Sequence, residues 1–308
     1  MTSKIIAIQG NHPSKLNPVT DTSIFLANEI QKKKYKIFYY DPKNLSILNS
    51  KINAKGFFIK FDYENKKFFK ILKKQALDLT KCKFILIRQD PPFNLEYIST
   101  TYILDGIKNK VKIVNNPTSI RNISEKLYSA KYQRFMPSTI FTQDLSEIKS
   151  FIKKHKKIIL KPIHSYSGND IHLLKSFNSK LINKFINKHG HIMCQKFLPK
   201  IINGDKRVFI INGIVCGAIS RVPKRGSFLS NMSKGAKPIN IKLTKIENKI
   251  SKLIAKDLKQ ENIFFAGIDF IDQKLNGDIN VTSPTGLKTL YDLSGKNLAK
   301  IFWRELKA

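Results

Sequence analysis

The stretch Asp269-Phe-Ile-Asp-Gln-Lys-Leu-Asn-Gly-Asp278-Ile-Asn280 is typical of two short strands joined by a tight turn. Asn276-Gly277 is a pair that such turns prefer, so we place the turn there. Because strand side chains alternate between faces, Asp278 and Asn280 share one face of the second arm, and Asp269 can meet them across the ladder. Two carboxylates and an amide oxygen are hard donors of the kind that bind Mg²⁺. A solvated hairpin with a polar tip is the alternative, since Asp and Asn are common turn residues.

The segments before this hairpin predict further antiparallel strands with helices between them. Asn212-Gly213, between two β-rich runs, is the strongest short hairpin signal in the chain. A helix is predicted over Asn122–Tyr132, with Ser124 as its N-cap. The other predicted elements are strands at Ile158–Lys161, Asp170–Leu174, Ile192–Phe197, Arg207–Ile211, Ile214–Arg221 and Phe265–Ile271, and helices at Leu145–Lys154 and Ile246–Lys259. This mixture predicts an α+β domain.

The first third of the chain alternates between strand and helix signals. Such alternation predicts a doubly wound α/β domain with a parallel sheet, whose ligands bind at the C-terminal ends of the strands. We therefore divide the chain into an α/β domain at residues 1–121 and an α+β domain at residues 122–308. The predicted strands are Ile5–Gln9, Tyr35–Tyr40, Phe84–Arg88 and Lys112–Asn115, and the predicted helices are Thr22–Lys33 and Tyr97–Lys108.

Several cations stand where strands begin or end. Lys161 closes an apolar run, and a buried lysine is costly without an anion, so a phosphate is its natural partner. Lys126 is a second candidate of this kind. At the head of another strand, Asp205 can accept ribose hydroxyls and Arg207 can bind phosphate or carboxylate. Arg88, after a parallel strand, can hold a substrate carboxylate. For each lysine taken alone, a structural or exposed position is the alternative.

The composition bounds the class of protein. The formal charge of +34 attracts anions, yet the lysines are spread along the chain, so we expect no specific nucleic-acid partner. The longest apolar runs are strand-sized, and the N-terminus lacks the pattern of a signal peptide, so we expect no membrane association. Cys82, Cys194 and Cys216 are isolated in apolar surroundings, which indicates reduced core residues in a cytoplasmic protein.

The motifs occur in an order that resembles the bacterial glutathione synthetases of the ATP-grasp superfamily. The most diagnostic is Asp278-Ile-Asn-Val-Thr-Ser-Pro-Thr285, and the resemblance extends from about Asp21 to the C-terminus. An ordered set of this kind is more specific than any of its members. The preceding motifs are Arg88-Gln-Asp-Pro-Pro-Phe93, Asn115-Asn-Pro117, Glu125-Lys-Leu127, Ile159-Leu-Lys-Pro162 and Gly204-Asp-Lys-Arg-Val208.

The resemblance implies a substrate-binding domain followed by an ATP-grasp domain, and a ligase that joins γ-glutamylcysteine to glycine with ATP through an acyl phosphate. It implies that Mg²⁺ is the metal, with Mn²⁺ as the alternative, and that the chain forms a homo-oligomer, a tetramer in this family. The implied metal ligands are Asp269, Asp278 and Asn280, and the candidate catalytic residues are Arg88, Arg207 and Arg221. The implied nucleotide-binding residues are Lys126, Lys161, Gly168, Gln195, Lys196, Phe197, Leu198, Asp205 and Asn231.

The chain also departs from the family pattern. The segment His164–Asp170 has one glycine where the family has a glycine-rich phosphate loop, and Tyr166 adds bulk there. Leu229 stands where an arginine is usual, a loss for which Arg225 can compensate, and Asp278 replaces the usual Glu. The altered loop leaves one alternative, a diverged ATP-grasp ligase with another substrate or reduced ATP turnover. A basic nucleic-acid-binding protein on the same scaffold is a separate, third interpretation.

Overall fold

The first third of the chain forms a mixed sheet whose centre is parallel. The computed structural model describes residues 4–63, 65 and 67–308. The strands are β1 (Ile5–Gln9), β2 (Lys36–Tyr40), β3 (Leu45–Leu48), β4 (Lys51–Phe61), β5 (Phe69–Asp78), β6 (Phe84–Ile87) and β7 (Lys112–Val114). In the described residues their order is β3-β4-β2-β1-β6-β7, with β5 paired to β4.

The predicted α/β arrangement is confirmed for β2, β1, β6 and β7, which pair in parallel. β1 and β6 are nearly continuous apolar runs because both faces of a parallel sheet are covered. β3, β4 and β5 pair in antiparallel fashion and were not predicted. β5 is mostly exposed and rich in lysine, so it lacks the apolar run that marks a buried strand.

Three helices accompany this sheet: α1 (Thr22–Gln31), α2 (Leu95–Asp105) and α3 (Pro117–Asn122). Asp21 caps α1 by accepting a bond from the Ile24 N–H at 2.8 Å, and Asn94 caps α2 in the same way. Both helices begin and end within about three residues of their predicted positions. The helix predicted over 122–132 is wrong, because α3 ends there and a separate 3₁₀ segment follows at Leu127–Phe135 without a side-chain cap.

The middle of the chain forms a four-stranded antiparallel sheet covered by two helices. The strands are β8 (Thr139–Thr142), β9 (Ile158–Pro162), β10 (His172–Leu174) and β11 (Ile192–Lys196), and the helices are α4 (Leu145–His155) and α5 (Ser179–His189). The order in the described residues is β10-β9-β11-β8. The apolar sides of α4 and α5 pack on this sheet, while their lysines face solvent.

The last third forms a five-stranded antiparallel sheet. The strands are β12 (Asp205–Ile211), β13 (Ile214–Val222), β14 (Lys237–Asn240), β15 (Phe265–Ile271) and β16 (Lys274–Asn280), and the helices are α6 (Lys245–Gln260), α7 (Leu287–Ser294) and α8 (Leu298–Glu305). Within the described chain the order is β14-β13-β12-β15-β16. Asn212-Gly213 joins β12 to β13, as predicted.

The turn of the β15–β16 hairpin lies elsewhere than predicted. Asp272 and Gln273 form the turn, with φ angles of 45° and 63°, as a two-residue hairpin loop requires. Asn276 and Gly277 lie within β16 instead, where the register with β15 shifts. Gly277 has a φ of 84°, so the glycine serves a bulge and not the turn.

The C-terminal helices return to the N-terminal sheet. Trp303 of α8 is buried and donates from its indole N–H to the Leu26 carbonyl of α1 at 2.8 Å. Phe302 and Leu290 belong to the same apolar cluster as Ile6, from the first strand. Strand β1 and helix α8 therefore share one core.

The three cysteines lie in the core, as expected from their apolar surroundings in the sequence. The cysteines are free and buried, and burial raises the pKa of Cys82 and Cys194 to about 12. None of the helices in the described residues has the length and hydrophobicity to cross a bilayer.

Candidate active site

A cleft of about 890 Å³, counted to its open mouth, lies between the four-stranded and five-stranded sheets. The cleft brings together fourteen of the fifteen predicted site residues. They are Lys126, Lys161, Gly168, Gln195, Lys196, Phe197, Leu198, Asp205, Arg207, Arg221, Asn231, Asp269, Asp278 and Asn280.

 Arg88 is the predicted site residue that lies outside this lining.

Two lysines flank one carboxylate in the cleft. The ammonium nitrogens of Lys126 and Lys161 each lie 3.5 Å from an oxygen of Asp278. Burial acts to raise the pKa of Asp278, but the two lysines outweigh it and the pKa is lowered. Burial lowers the pKa of Lys161, whose ammonium also donates to the Asn276 carbonyl at 2.7 Å. The group is therefore a compact cluster of charge beside the cleft.

A second charged network crosses the five-stranded sheet. Arg207 binds Asp269 through two parallel hydrogen bonds, and Arg221 binds Asp205 in the same bidentate way, at 2.7 and 2.6 Å. Arg221 also lies 3.0 Å from Asp269, and the Ser230 hydroxyl donates to Asp205 at 2.6 Å. Burial acts to raise the pKa of Asp269, but Arg207 and Arg221 lower it to about 2. Burial is the main cause of a raised pKa at Asp205.

In this network Asp205 binds other protein side chains, which the sequence did not predict. Asp205 lines the cleft, as expected for a residue facing a nucleotide. Its two carboxylate oxygens are held by Arg221 and Ser230, so its acceptors are engaged inside the protein. Asp205 is thus placed to orient Arg221 as well as to face the cleft.

The predicted oxygen donors for a metal share this cleft. Asp278 and Asn280 lie on the same half-buried face of β16, as the alternation predicted. Asp269 faces the register shift on the neighbouring strand β15. The amide nitrogen of Asn280 donates to the Gly267 carbonyl at 3.1 Å, which leaves its amide oxygen available.

The chemistry of this donor set fits Mg²⁺. Among the described residues, no group of three or more His, Cys, Asp or Glu side chains gathers as a metal site. The set at the cleft instead has two carboxylates and one amide oxygen. Mg²⁺ usually takes one or two carboxylates and completes its shell with phosphate oxygens and water, so this set suffices beside a nucleotide.

Two loops meet over the cleft. A Cβ added to Gly168 would lie 2.4 Å from the Asn231 Oδ1, so the two loops touch at a glycine. Gly168 and its neighbour Ser167 have φ angles of 71° and 53°. The ammonium of Lys126 donates to the Ser165 carbonyl at 2.7 Å, which ties the first loop to the charge cluster.

Two of the residues that depart from the family pattern line the cleft. Tyr166 lines the cleft with about a third of its surface, 37%, exposed, so its ring is partly turned to solvent. Leu229 lines the cleft as well. Arg225 is exposed and lies outside the lining, so this arrangement gives no support to the expectation that it compensates for the missing arginine.

Arg88 lies at a second location, the C-terminal edge of the N-terminal sheet. β1 leads through α1 to β2 on one side, and β6 leads through α2 to β7 on the other, so the strand order reverses between β1 and β6. Ligands of α/β sheets bind at such a point. The Arg88 Nε donates to the Ser23 hydroxyl at 3.1 Å, while its Nη1 is buried and has no hydrogen-bond partner among the described residues.

Carboxylates surround this arginine. Asp90 accepts a bond from the Asn11 amide at 2.7 Å, and burial raises the pKa of both Asp90 and Asp21. Burial lowers the pKa of Arg88, although Asp21 and Asp90 act against it. An unpaired donor on a buried cation is the feature expected of an anion site.

Comparison with known families now decides the relationship. The family described as "Prokaryotic glutathione synthetase, ATP-grasp domain" matches residues 125–295, and "Prokaryotic glutathione synthetase, N-terminal domain" matches residues 5–121.

The chain belongs to the prokaryotic glutathione synthetase family. Its similarity to the glutathione synthetase of Brucella melitensis biotype 1 is 33% identity over 98% of each chain. It is 33% identical to that of Escherichia coli O6:H1 over 90% of this chain and 89% of the relative. The family membership, the fold class and the class of ATP-dependent ligase expected from the sequence are confirmed.

Solved structures agree on the fold. D-alanyl-alanine synthetase A from Vibrio cholerae O1 biovar eltor matches with a TM-score of 0.65 and 14% identity, over 100% of this chain and 98% of that chain. The ATP-grasp ligase PsnB, complexed with a precursor variant, Mg and ADP, matches with a TM-score of 0.66 and 12% identity, over 99% and 98%. The architecture is therefore that of the ATP-grasp ligases.

Two polar residues at the junction of the domains were quoted in the sequence motifs but given no role. Asn115 is buried, and its amide makes four hydrogen bonds of 2.6–2.9 Å, to the backbone of Phe264, Phe265 and Val281. Glu125 binds the backbone of Val281 and Thr282. One feature of the sequence could have indicated a role for Asn115, namely its position at the end of a predicted parallel strand.

Proposed function

We propose that the protein is a glutathione synthetase, which joins γ-glutamylcysteine to glycine and releases ADP and phosphate. The observation that carries this proposal is the meeting of Asp278 with Lys126 and Lys161 in one cleft that also contains Asp269 and Asn280. Acids that bind a metal and cations that bind phosphates are the two requirements of phosphoryl transfer.

The nucleotide lies in this cleft. Lys126 and Lys161 hold the phosphates, and the strand end Gln195–Leu198 receives the adenine. Gly168 and Asn231 belong to the two loops that cover the phosphates, and Asp205 faces the nucleotide while it orients Arg221. The shared lining of these residues supports the assignment.

Mg²⁺ is the metal of the proposal, with Mn²⁺ as the alternative, and Asp269, Asp278 and Asn280 hold it. When bound, the metal neutralises charge on the phosphates and orients them for transfer. Asp269 must then divide its oxygens between the metal and its two arginines, Arg207 and Arg221.

The acid substrate extends from the N-terminal domain toward the cleft. The buried, unpaired Nη1 of Arg88 holds a carboxylate of γ-glutamylcysteine. The cysteinyl carboxylate attacks the terminal phosphorus of ATP, so an oxygen–phosphorus bond forms and ADP leaves. Arg207 and Arg221 stabilise the charge that develops on the phosphoryl group. The amine of glycine then attacks the acyl carbon, loses a proton and displaces phosphate.

The remaining properties follow from the same assignment. We propose a domain boundary at residues 121 and 122, which the family matches to 5–121 and 125–295 support. The free, buried cysteines support a reducing, cytoplasmic location. We retain the proposals of a homo-oligomer, a tetramer by family resemblance, and of no specific nucleic-acid partner.

A second candidate is a diverged ligase with another acid or amine or with reduced ATP turnover. The observation that favours it is the loop His164–Asp170, where Ser167 holds a backbone conformation that glycine adopts more readily. The fold and charge cluster are compatible with both candidates.

Phosphate release with Mg·ATP tests these candidates. Glutathione synthesis predicts release that requires both γ-glutamylcysteine and glycine, with glutathione formed in equal amount. Release with only another acid or amine would favour the diverged ligase. Salt-resistant binding of RNA or DNA without any turnover would contradict both and favour a nucleic-acid-binding protein.

A further inference from the structure

We infer that Glu125 is a positioning residue, which fixes the strand that carries two of the proposed metal ligands. One carboxylate oxygen of Glu125 accepts the N–H of Val281 at 2.8 Å, and the N–H and hydroxyl of Thr282 at 3.0 Å each. The backbone carbonyl of Glu125 accepts the N–H of Ile279 at 3.0 Å. Glu125 therefore holds the chain on both sides of Asn280. This inference rests on the proposed metal site.

The strand needs such support because its pairing is interrupted. Asn280 pairs with Gly267 at the last step of the β15–β16 ladder, beyond which the chain leaves the sheet. Asp278 lies in the register shift, where β16 has more residues than β15. Backbone at a ladder end or a bulge has fewer hydrogen bonds to fix it.

A second side chain acts on the same residue from the other side. The carbonyl of Val281 accepts a bond from the Asn115 amide at 2.6 Å, while its N–H donates to Glu125. Val281 itself is fully buried. The residue directly after Asn280 is thus held at both of its backbone polar groups.

Glu125 also links β16, which carries two of the proposed metal ligands, to a phosphate-binding cation, because Lys126 is the next residue. One short segment therefore carries both a phosphate-binding cation and the acceptor that fixes the end of β16. Mg²⁺ requires near-octahedral geometry, at about 2.0–2.1 Å from each oxygen, so small displacements of the ligands weaken binding. Groups that orient metal ligands typically contribute about 10–100-fold in metal affinity or activity.

Three substitutions separate positioning from a charge effect. Glu125→Gln retains an oxygen at the same reach, so the Mg²⁺ concentration for half-saturation should stay within about three-fold of wild type. Glu125→Asp keeps the charge but is one methylene too short, and Glu125→Ala removes the acceptor. Both should raise that concentration by about ten-fold or more. Glu261→Gln, Asp and Ala are the controls, because the Glu261 side chain is 45% exposed and pairs with Lys131 at the surface.

Calorimetric titration of the full chain with a non-hydrolysable ATP analogue, across a Mg²⁺ series and in EDTA, measures the effect without turnover. We expect the analogue to bind equally well to all variants in EDTA, and the Mg²⁺-dependent gain to fall only in Glu125→Asp and Glu125→Ala. Thermal unfolding identifies a variant that does not fold. If Glu125→Ala fails to fold, the comparison of Glu125→Asp with Glu125→Gln decides the test.

A wild-type Mg²⁺ dependence in Glu125→Asp together with a weakened one in Glu125→Gln would overturn the inference, because it would show that Glu125 acts through its charge. A Mg²⁺ dependence unchanged in both Glu125→Asp and Glu125→Ala would also overturn it, while the ligase proposal would stand. If the wild-type protein bound the analogue with no Mg²⁺ dependence, the metal site itself would be refuted.

Discussion

Asp278 lies between Lys126 and Lys161. Its Oδ1 is 3.5 Å from the Lys126 ammonium nitrogen, and its Oδ2 is 3.5 Å from the Lys161 ammonium nitrogen. In the proposed reaction all three exchange partners, since the lysines turn to phosphate and the carboxylate turns to the metal. The ion pairs neutralise the cluster while no nucleotide is bound. Nucleotide and metal should therefore bind more tightly together than either does alone.

Replacing Asp278 by Asn should reduce Mg²⁺-dependent turnover by about 100-fold or more, because the metal loses an anionic ligand. The fold should persist, which circular dichroism and thermal unfolding can check. Asp272→Asn is the matched control, since Asp272 lies in the turn of the same hairpin and pairs with Lys200 near the surface. Turnover near the wild-type value in Asp278→Asn would remove this residue from the metal site.

Replacing Ser167 by Gly should tighten ATP binding. The serine holds a φ of 53°, where a non-glycine residue costs about 1 kcal/mol, so glycine should lower the Kd for ATP by up to about five-fold. Ser165→Gly is the contrast, because the Ser165 hydroxyl donates to the Asn169 carbonyl at 2.8 Å and its loss loosens the loop. Equal ATP affinity in the two variants and the wild type would show that this loop does not cover the phosphates.

Replacing Arg88 by Met should raise the KM for γ-glutamylcysteine by about 10–100-fold, because a charge-assisted hydrogen bond to the substrate is lost. The Kd for ATP should not change, since Arg88 lies outside the nucleotide cleft. Arg88→Lys should give an intermediate KM, as it keeps the charge without the planar fork. A change in ATP affinity with an unaltered KM for the acid would contradict this placement.

The stability conferred by Asp269 should depend on pH. Arg207 and Arg221 hold its pKa at about 2, below the ordinary value of 3.8 for an aspartate, so ionised Asp269 favours the folded state. Its contribution, about 2 kcal/mol, is complete above pH 4 and is lost as the pH falls toward 2. Urea unfolding of the wild type and Asp269→Asn between pH 6 and pH 3 should show the difference narrowing only below about pH 4. A difference that grew on acidification would contradict the assignment.

The sequence predicted the parallel strands well, because their apolar runs are continuous. It also placed Asp278 and Asn280 on one face correctly, since a strand's alternation fixes which side chains share a face. The hairpin β4–β5 was missed, because its lysines interrupt the apolar pattern. A sequence pattern thus predicts a strand reliably only where its apolar residues follow the burial of that strand.

The turn of the β15–β16 hairpin shows a different limit. Asn276-Gly277 has the sequence of a turn, but the glycine instead holds a φ of 84° at a bulge, and a Cβ there would also displace the Met193 methyl group, which lies 2.2 Å away. That constraint comes from a distant strand, so no local signal contains it. The four bonds of Asn115 are likewise formed with residues about 150 positions away.

The burial of Trp303 against Leu26 bears on how the protein is made. The N-terminal sheet leaves the ribosome before both other sheets, yet part of its core is supplied by α8, which follows them in the chain. Until α8 emerges, the N-terminal sheet exposes the apolar surface that α8 covers in the folded protein. A nascent chain stalled before α8 should therefore engage chaperones, and loss of α8 should destabilise the N-terminal sheet as well.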